Sequence, residues 1–336
     1  MNKQWIVVTT INPPTEAIEV ISKMAESGWS VVVVGDRKTP SDWAAPNVNY
    51  ISIDDQKSLF GDLADMIPYN HYCRKNLGYL YAISRGATCI LETDDDNIPY
   101  ENFGRVTNEQ LKVRMISGAK WINIYKHFVD GLIWPRGLPL DEIESLGDVS
   151  NQQILGSFPI QQYLADLDPD VDAVYRLVIN KEIVFTGKSA FGLEKNSWVP
   201  FNSQNTLFYS VAFPLLYLPC NVSFRMTDIW RSFVAQQALW ILGYRIAFLP
   251  STVKQVRNEH SLMRDFEDEI PGYIQNKKII DLLSRRAETL HPSMGLANIV
   301  RELWSALNIE GIIPDVEMNI LDSWLASMTK SVQGFK

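Results

Sequence analysis

Cysteine is scarce in this chain. There are three among 336 residues (Cys73, Cys89 and Cys220), an odd number with no Cys-x-x-Cys pair. That speaks against a disulfide framework and for buried, reduced thiols in a reducing compartment. Long apolar runs are missing too. The longest, LFYSVAFPLLYLPC at 207–220, is too short to span a bilayer and is interrupted by Pro214 and Pro219. The opening MNKQWIVVTT has one Lys and a short β-type run, without the apolar stretch and small-residue cleavage site of a signal peptide. A soluble, cytoplasmic protein is expected, with peripheral membrane contact left open. Basic charge is also in short supply: Lys and Arg total 31 against 39 Asp and Glu, a net charge of −8. A general nucleic-acid binder would show the opposite balance, although a local basic pocket for a phosphate is still compatible. Internal repeats and low-complexity tracts are absent.

What is present suits a folded α/β protein. The chain is 46% hydrophobic and 21% charged, and its length fits one large domain with an appended piece, or two domains. The β-branched runs WIVVTTI (5–11), SVVVVGD (30–36) and VNYISI (48–53) alternate with helical patterns, one reaching about Ser27 and another over roughly 70–86. Asp54 or Asp55 is placed to cap the helix between them. Such alternation predicts a mainly parallel sheet with helices on both faces. Residues 100–165 read as loops and short helices. VDAVYRLV, EIVF, NTLFYSV and PLLYLP, between 171 and 219, read as strands. TDIWRSFVAQQALWIL (227–242) is a helix with Thr227 as its cap, and RIAFLP (245–250) a strand. After about 270 the pattern is helical. The division expected is a domain of residues 1–268, with a nucleotide-binding half to about 100 and an acceptor half from 101, and a helical extension over 269–336.

The stretch TCILETDDDNIP (88–99) drives a buried strand into Asp94, Asp95 and Asp96. Crowded carboxylates repel and raise one another's pKa, so water or a cation should offset the cluster. In open α/β sheets ligands sit beyond the carboxyl ends of strands. A hard cation such as Mg²⁺ or Mn²⁺ takes one or two carboxylates there plus substrate phosphates, and would neutralise a diphosphate leaving group. A solvated acidic turn is the plainer alternative. An EF-hand loop starting at Asp94 fails, because Ile98 and Pro99 stand at its fifth and sixth places. A haloacid-dehalogenase phosphatase shares the Asp-x-Asp. Such proteins usually carry it on the first strand with Thr or Val two residues later; here it follows roughly the fourth strand, before Ile98. A second series, Asp166, Asp168, Asp170 and Asp172, would share one face if extended.

Three stretches, VVVVGDRKTP (31–40), IPYNHYCRKNLGYLYAISRGATCILETDDDNIP (67–99) and MTDIWRSFVAQQALWILGYRIAFLPSTV (226–253), resemble the STELLO-type glycosyltransferase domain. They are more distantly similar to the reversibly glycosylated polypeptides, which are UDP-arabinopyranose mutases. Both families imply a GT-A nucleotide-sugar fold, here over most of residues 5–260. Plant STELLO proteins are Golgi membrane proteins; no anchor is read in this chain, which leaves the acceptor open.

The resemblance implies roles. Thr9, Thr10 and Ile11 would meet the nucleotide. Asp36, Arg37 and Lys38 form a nucleotide-side loop, Arg74 and Lys75 are either plain surface charge or contacts to the diphosphate or sugar, and Asp95 belongs to the Asp-x-Asp-type cofactor-binding motif. Asp94 and Asp96 would carry Mn²⁺ or Mg²⁺, completed by His260. Asp228, at a helix start, is the expected catalytic carboxylate, a base for the acceptor hydroxyl in an inverting transfer; capping would also account for it. Arg231 would pair with it or bind substrate. Trp134 would help line an acceptor cleft, since aromatic rings stack on sugar faces. The function expected is metal-dependent transfer from a nucleotide sugar to a glycan or lipid-linked saccharide, in surface polysaccharide synthesis. The alternatives are a nucleotide-sugar mutase and a non-catalytic sugar-nucleotide-binding partner. Apolar faces in the tail, including Leu303, Trp304 and Leu307, are expected to pack on the catalytic domain or to form a homo-oligomer contact.

Overall fold

Strand β1 (Gln4–Thr9) serves two cores at once: Trp5 and Val7 enter one, Ile6 and Val8 the other. Strand β2 (Trp29–Val34) does the same with Val32 and Val34 against Val31 and Val33. A two-residue period with both phases apolar is what a strand covered by helices on both faces requires. The computed structural model of the chain describes residues 3–105, 108–257 and 261–333.

Between and after these strands come α1 (Glu16–Ser22), β3 (Val48–Ile51), α2 (Ile53–Phe60), α3 (Asp62–Met66), α4 (Lys75–Ser84) and β4 (Cys89–Thr93). The second half holds β5 (Asn97–Pro99), β6 (Gln110–Ser117), β7 (Asp148–Ser157), β8 (Ile160–Leu167), α5 (Ala173–Val178), β9 (Phe191–Leu193), β10 (Asn205–Tyr209), α6 (Thr227–Ile241) and β11 (Ile246–Gln255). Three helices close the chain: α7 (Leu262–Ala287), α8 (Leu296–Ile309) and α9 (Asp315–Gln333).

Among the described residues the strands form one sheet of order β3-β2-β1-β4-β10-β8-β11-β9-β6-β7, with β5 added on β11. The run β3-β2-β1-β4 is parallel. Beyond it β10 is antiparallel to both β4 and β8, whereas β8–β11 and β6–β9 are parallel again. This is a mixed α/β sheet of the GT-A-like kind, with a C-terminal helical part. Helix α4 lies directly on β1 and β2. It approaches so closely that a Cβ at Gly78 would stand 2.6 Å from Val7 Cγ1 and 2.7 Å from Val34 Cγ2.

Several expectations for 100–225 need correcting. Residues 100–165 contain the long strands β6, β7 and part of β8 rather than only loops and short helices. The stretch at 171–178 reads as a strand from its β-branched content, yet Asp172 caps it into α5 by accepting from Tyr175 N at 2.7 Å. A side-chain cap outweighs so weak a strand propensity. PLLYLP is largely a 3₁₀ turn around Pro214 and not a strand. At α2 the cap is Ser52, with Asp55 completing a capping box. At α6 Thr227 is already inside the helix, and no side chain caps it.

The tail is tied to the sheet. Helix α7 runs unbroken through residue 268. Leu303, Trp304 and Leu307 are buried in the same core as β1 and α4, so this apolar face is used within the chain. Buried Glu317 of α9 accepts from Cys220 N at 2.9 Å and Asn221 N at 2.7 Å. Trp324 Nε1 donates to Asn76 O on α4 at 3.3 Å. All three cysteines are buried and unbridged. Among the described residues, no helix is long and apolar enough to cross a membrane.

Candidate active site

The carboxyl ends of β1, β2 and β4 open into a cavity of about 530 Å³. Thr9 and Thr10 come from the first, Asp36 from just beyond the second, and Asp94–Asp96 from the third. The other wall is brought from far along the chain by Arg136, Asp170, Arg176, Arg225, Asp228 and Arg257.

The acidic triplet is spread rather than stacked. Asp94 meets Lys75 Nζ at 2.7 Å, and that buried ammonium also donates to Thr93 O at 2.9 Å. Asp95 turns toward the loop after β1: its carboxylate accepts from Thr10 Oγ1 and, at 3.1 Å, from Asn12 Nδ2, while Thr15 Oγ1 donates to its carbonyl. Asp95 thereby fixes the β1–α1 loop. Burial pushes its pKa up, against these hydrogen bonds. Asp96 accepts from Gln255 Nε2 at 3.0 Å through one oxygen, and its other oxygen is buried with no partner. Burial first, and the neighbouring Asp94 charge second, raise Asp96 to about 7. So the crowding foreseen from the sequence raises both Asp95 and Asp96, and weighs more on Asp96.

Asp36 also belongs to the cavity, held by Arg37 N at 2.7 Å and His71 N at 3.3 Å. Arg37 and Lys38 do not: both are exposed and off its wall, and Arg37 lies over the Tyr69 ring at 3.8 Å. Arg74 reaches the cavity, but its guanidinium is committed to Gln56 Oε1, Ala64 O and Ile67 O.

Asp228 lines the cavity, as a catalytic carboxylate should, but it is not free. Arg136 clamps it through two bonds of 2.9 and 3.0 Å, and Tyr72 Oη and Ser203 N each donate at 3.1 Å. Burial alone would raise its pKa; the Arg136 guanidinium overrides that and holds it well below the usual carboxylate range. A base works best with a pKa near the working pH, so this carboxylate is a weak one as placed.

Two of the proposed substrate residues are structural. Trp134 is buried off the cavity with its indole N–H on Asp172 Oδ2 at 2.7 Å. Arg231 is 1% exposed and forks onto Glu92 at 2.6 and 2.9 Å, not onto Asp228. Removing one partner of such a buried pair is expensive. We therefore expect Arg231→Met to lower unfolding stability by about 3–5 kcal/mol in a denaturant titration; a loss under about 1 kcal/mol would show that Glu92 is satisfied without it. His260 lies outside the described residues.

The Asp166–Asp172 series does not share a face. Asp166 accepts from Ser251, Tyr100 and Phe185 N, Asp168 pairs with Arg176, Asp170 with Arg136, and Asp172 caps α5. Residues not foreseen include His71, Tyr72 and Phe224, whose rings meet at the cavity with centroids 4.9–5.5 Å apart. Phe224, rather than Trp134, is the exposed aromatic on this wall.

Among the described residues no three His, Cys, Asp or Glu side chains meet as a metal cage. The donor set is instead one or two carboxylates facing a large cavity, with an orphaned oxygen on Asp96. That suits a hard divalent cation that shares its coordination with substrate phosphates and water.

A family model for the STELLO glycosyltransferases matches residues 225–336, from the start of α6 through the tail. The chain is 30% identical to "Probable glycosyltransferase STELLO2" of Arabidopsis thaliana and 29% identical to "Probable glycosyltransferase STELLO1" of the same plant, each over 97% of its length. It spans 44% of each relative. The chain is thus similar to the STELLO glycosyltransferases along almost its whole sequence, with the family-model match confined to the part from α6 through the tail.

Proposed function

We propose that this chain moves a sugar from a nucleotide-sugar donor to a glycan or lipid-linked acceptor, with Mn²⁺ or Mg²⁺ at Asp94 and Asp96. One observation carries the proposal: the acidic end of β4, the ends of β1 and β2, and Asp228 all open on one cavity. Thr9, Thr10 and Asp36 are at the strand ends where a nucleotide sits in open α/β sheets. A cation at the triplet would supply charge neutralisation for a leaving diphosphate.

The chain's own residues do the rest. Lys75 holds Asp94 in place from beneath. Asp95 stitches the β1–α1 loop so that Thr10 and Asn12 face the cavity. Asp228 keeps Arg136 and the Tyr72 hydroxyl fixed in the wall. Phe224 offers an apolar ring to a sugar face. Surface polysaccharide synthesis in the cytoplasm is the setting we propose for this transfer.

The test is a panel of nucleotide sugars, each incubated with and without acceptor glycans, in Mn²⁺ and again in EDTA. Transfer that needs acceptor and metal supports the proposal. Ring interconversion of the nucleotide sugar without acceptor would replace it with a mutase. Binding without turnover across the panel would replace it with a carrier or partner role.

A further inference from the structure

On the wall that faces the acidic triplet, Arg176, Arg225 and Arg257 all line the cavity. Each is braced by its own carboxylate. Arg176 bonds Asp168 at 3.1 Å, Arg225 bonds Glu269 at 2.9 Å, and Arg257 bonds Asp265 at 2.6 Å. None of these three carboxylates is itself on the cavity wall. The ion pairs therefore fix the guanidinium planes without closing the cavity face. Arg136 is different, because its donors are consumed by Asp170, Asp228 and Arg225 O.

An unused donor remains on this wall. Arg176 is 6% exposed and its buried Nε has no hydrogen-bond partner. Arg225 Nη2 is paired with Glu269 Oε1 at 2.9 Å and lies 3.8 Å from Asp170 Oδ1, so its charge is held at the wall rather than spare. A buried N–H left unpaired costs free energy comparable to a lost hydrogen bond, more so on a charged group. Burial, and after it the like charges of Arg176 and Arg225, lower the pKa of Arg257 to about 10. Three guanidiniums lining one cavity, one of them with a spare donor, call for an anion, and a dianion offsets their repulsion better than a single charge does. Arginine forks match phosphoryl oxygens in geometry.

We propose that Arg176, Arg225 and Arg257 form a phosphoryl-binding subsite, separate from the metal-side carboxylates of the same cavity. The phosphoryl group belongs either to the donor's diphosphate or to a phosphate-bearing acceptor such as a lipid-linked saccharide. This deepens the transfer proposal above and rests on it for the use of the cavity, though its test needs no sugar transfer.

The test is calorimetric titration of the full chain with inorganic pyrophosphate in EDTA, where no metal can bridge anion and carboxylates. We expect wild-type binding that weakens with added salt, as phosphate–arginine contacts do. Arg176→Gln and Arg257→Gln should each weaken it at least about 10-fold. Lys277→Gln, at an exposed pair with Asp141 away from the cavity, should leave it unchanged. Melting curves verify that the variants fold; Arg257→Lys, which keeps the charge and loses the fork, gives a second comparison and should also bind more weakly. Absence of wild-type binding, or equal binding by the Gln variants, overturns the subsite even if sugar transfer is found. Conversely, pyrophosphate binding with no transfer on the panel sinks the transfer proposal alone. The source is then read by saturating the protein with nucleoside diphosphate and Mn²⁺ and titrating inorganic phosphate. Retained phosphate binding assigns the subsite to the acceptor; competition assigns it to the donor.

Discussion

Asp96→Asn should lose turnover by about 100-fold or more while making the metal-free protein more stable at pH 8. The two effects have one cause. Asp96 is buried, keeps one oxygen without a partner, and has its pKa raised to about 7 by burial and by Asp94. The folded pKa lies above the unfolded value of about 3.9, so the native state holds the proton more tightly. Below about pH 4 the group contributes nothing to the pH dependence. Between about pH 4 and 7 its ionisation becomes a growing penalty, which is constant above that. Asparagine keeps the shape without the charge. In EDTA the variant should therefore gain on the order of 2–4 kcal/mol over wild type at pH 8 and nothing at pH 4. Mn²⁺ should reverse the comparison, since a cation stabilises the wild-type carboxylate by mass action and finds a weaker ligand in the amide. Metal-dependent donor binding as tight in the variant as in wild type would remove Asp96 from the metal side. Equal stability of the two proteins at pH 8 would remove the strain argument.

The parts of this protein written in local pattern were legible, and those written in long-range pairing were not. β1, β2 and β4 show as apolar runs because a strand covered on both faces has no polar phase to hide it. The carboxyl end of the acidic strand then locates the triplet, while Thr9, Thr10 and Asp36 come from the family resemblance; all of them line the cavity. Arg136, Arg176, Arg225 and Arg257 lie in four separate segments, and nothing in their spacing places them on one wall. Cations are surface residues by default, so buried ones have to be seen. Arg231 misled for a related reason. It sits one turn from Asp228 on α6, yet reaches Glu92 on β4, because a helical neighbour is only one of several partners that a long side chain can find. Trp134 misled because an aromatic ring suits a core as well as a sugar, and the Asp172 carboxylate that receives its N–H is 38 residues away. The strand pattern at 171–178 failed at a single residue, the Asp172 cap.

Asp228→Asn is expected to lose stability and turnover together, and the pairing of the two decides what this carboxylate does. A general base that is merely exchanged for an amide costs on the order of 10²–10⁴-fold in rate with little change in melting. The geometry argues for another outcome. Both oxygens of Asp228 are engaged by Arg136, Tyr72 and Ser203, and its pKa is held well below the usual range. An amide presents one acceptor where the carboxylate has two, and its NH₂ would face the Arg136 fork. Complete loss of a buried partner costs about 3–5 kcal/mol. Here Arg136 keeps Asp170 at 2.7 Å, so a drop of about 1–3 kcal/mol is expected. With Arg136 loosened, the wall it shares with Arg225 shifts, and turnover should fall by about 100-fold through positioning. A double-mutant cycle with Arg136→Gln should return a coupling energy above about 1.5 kcal/mol in stability. The wild-type rate should also show no rise attributable to Asp228 between pH 5 and 9, because a carboxylate ionised throughout that range has nothing left to titrate. A variant that melts normally, couples weakly to Arg136 and still loses the rate would instead make Asp228 the proton acceptor that its place at the helix start suggests.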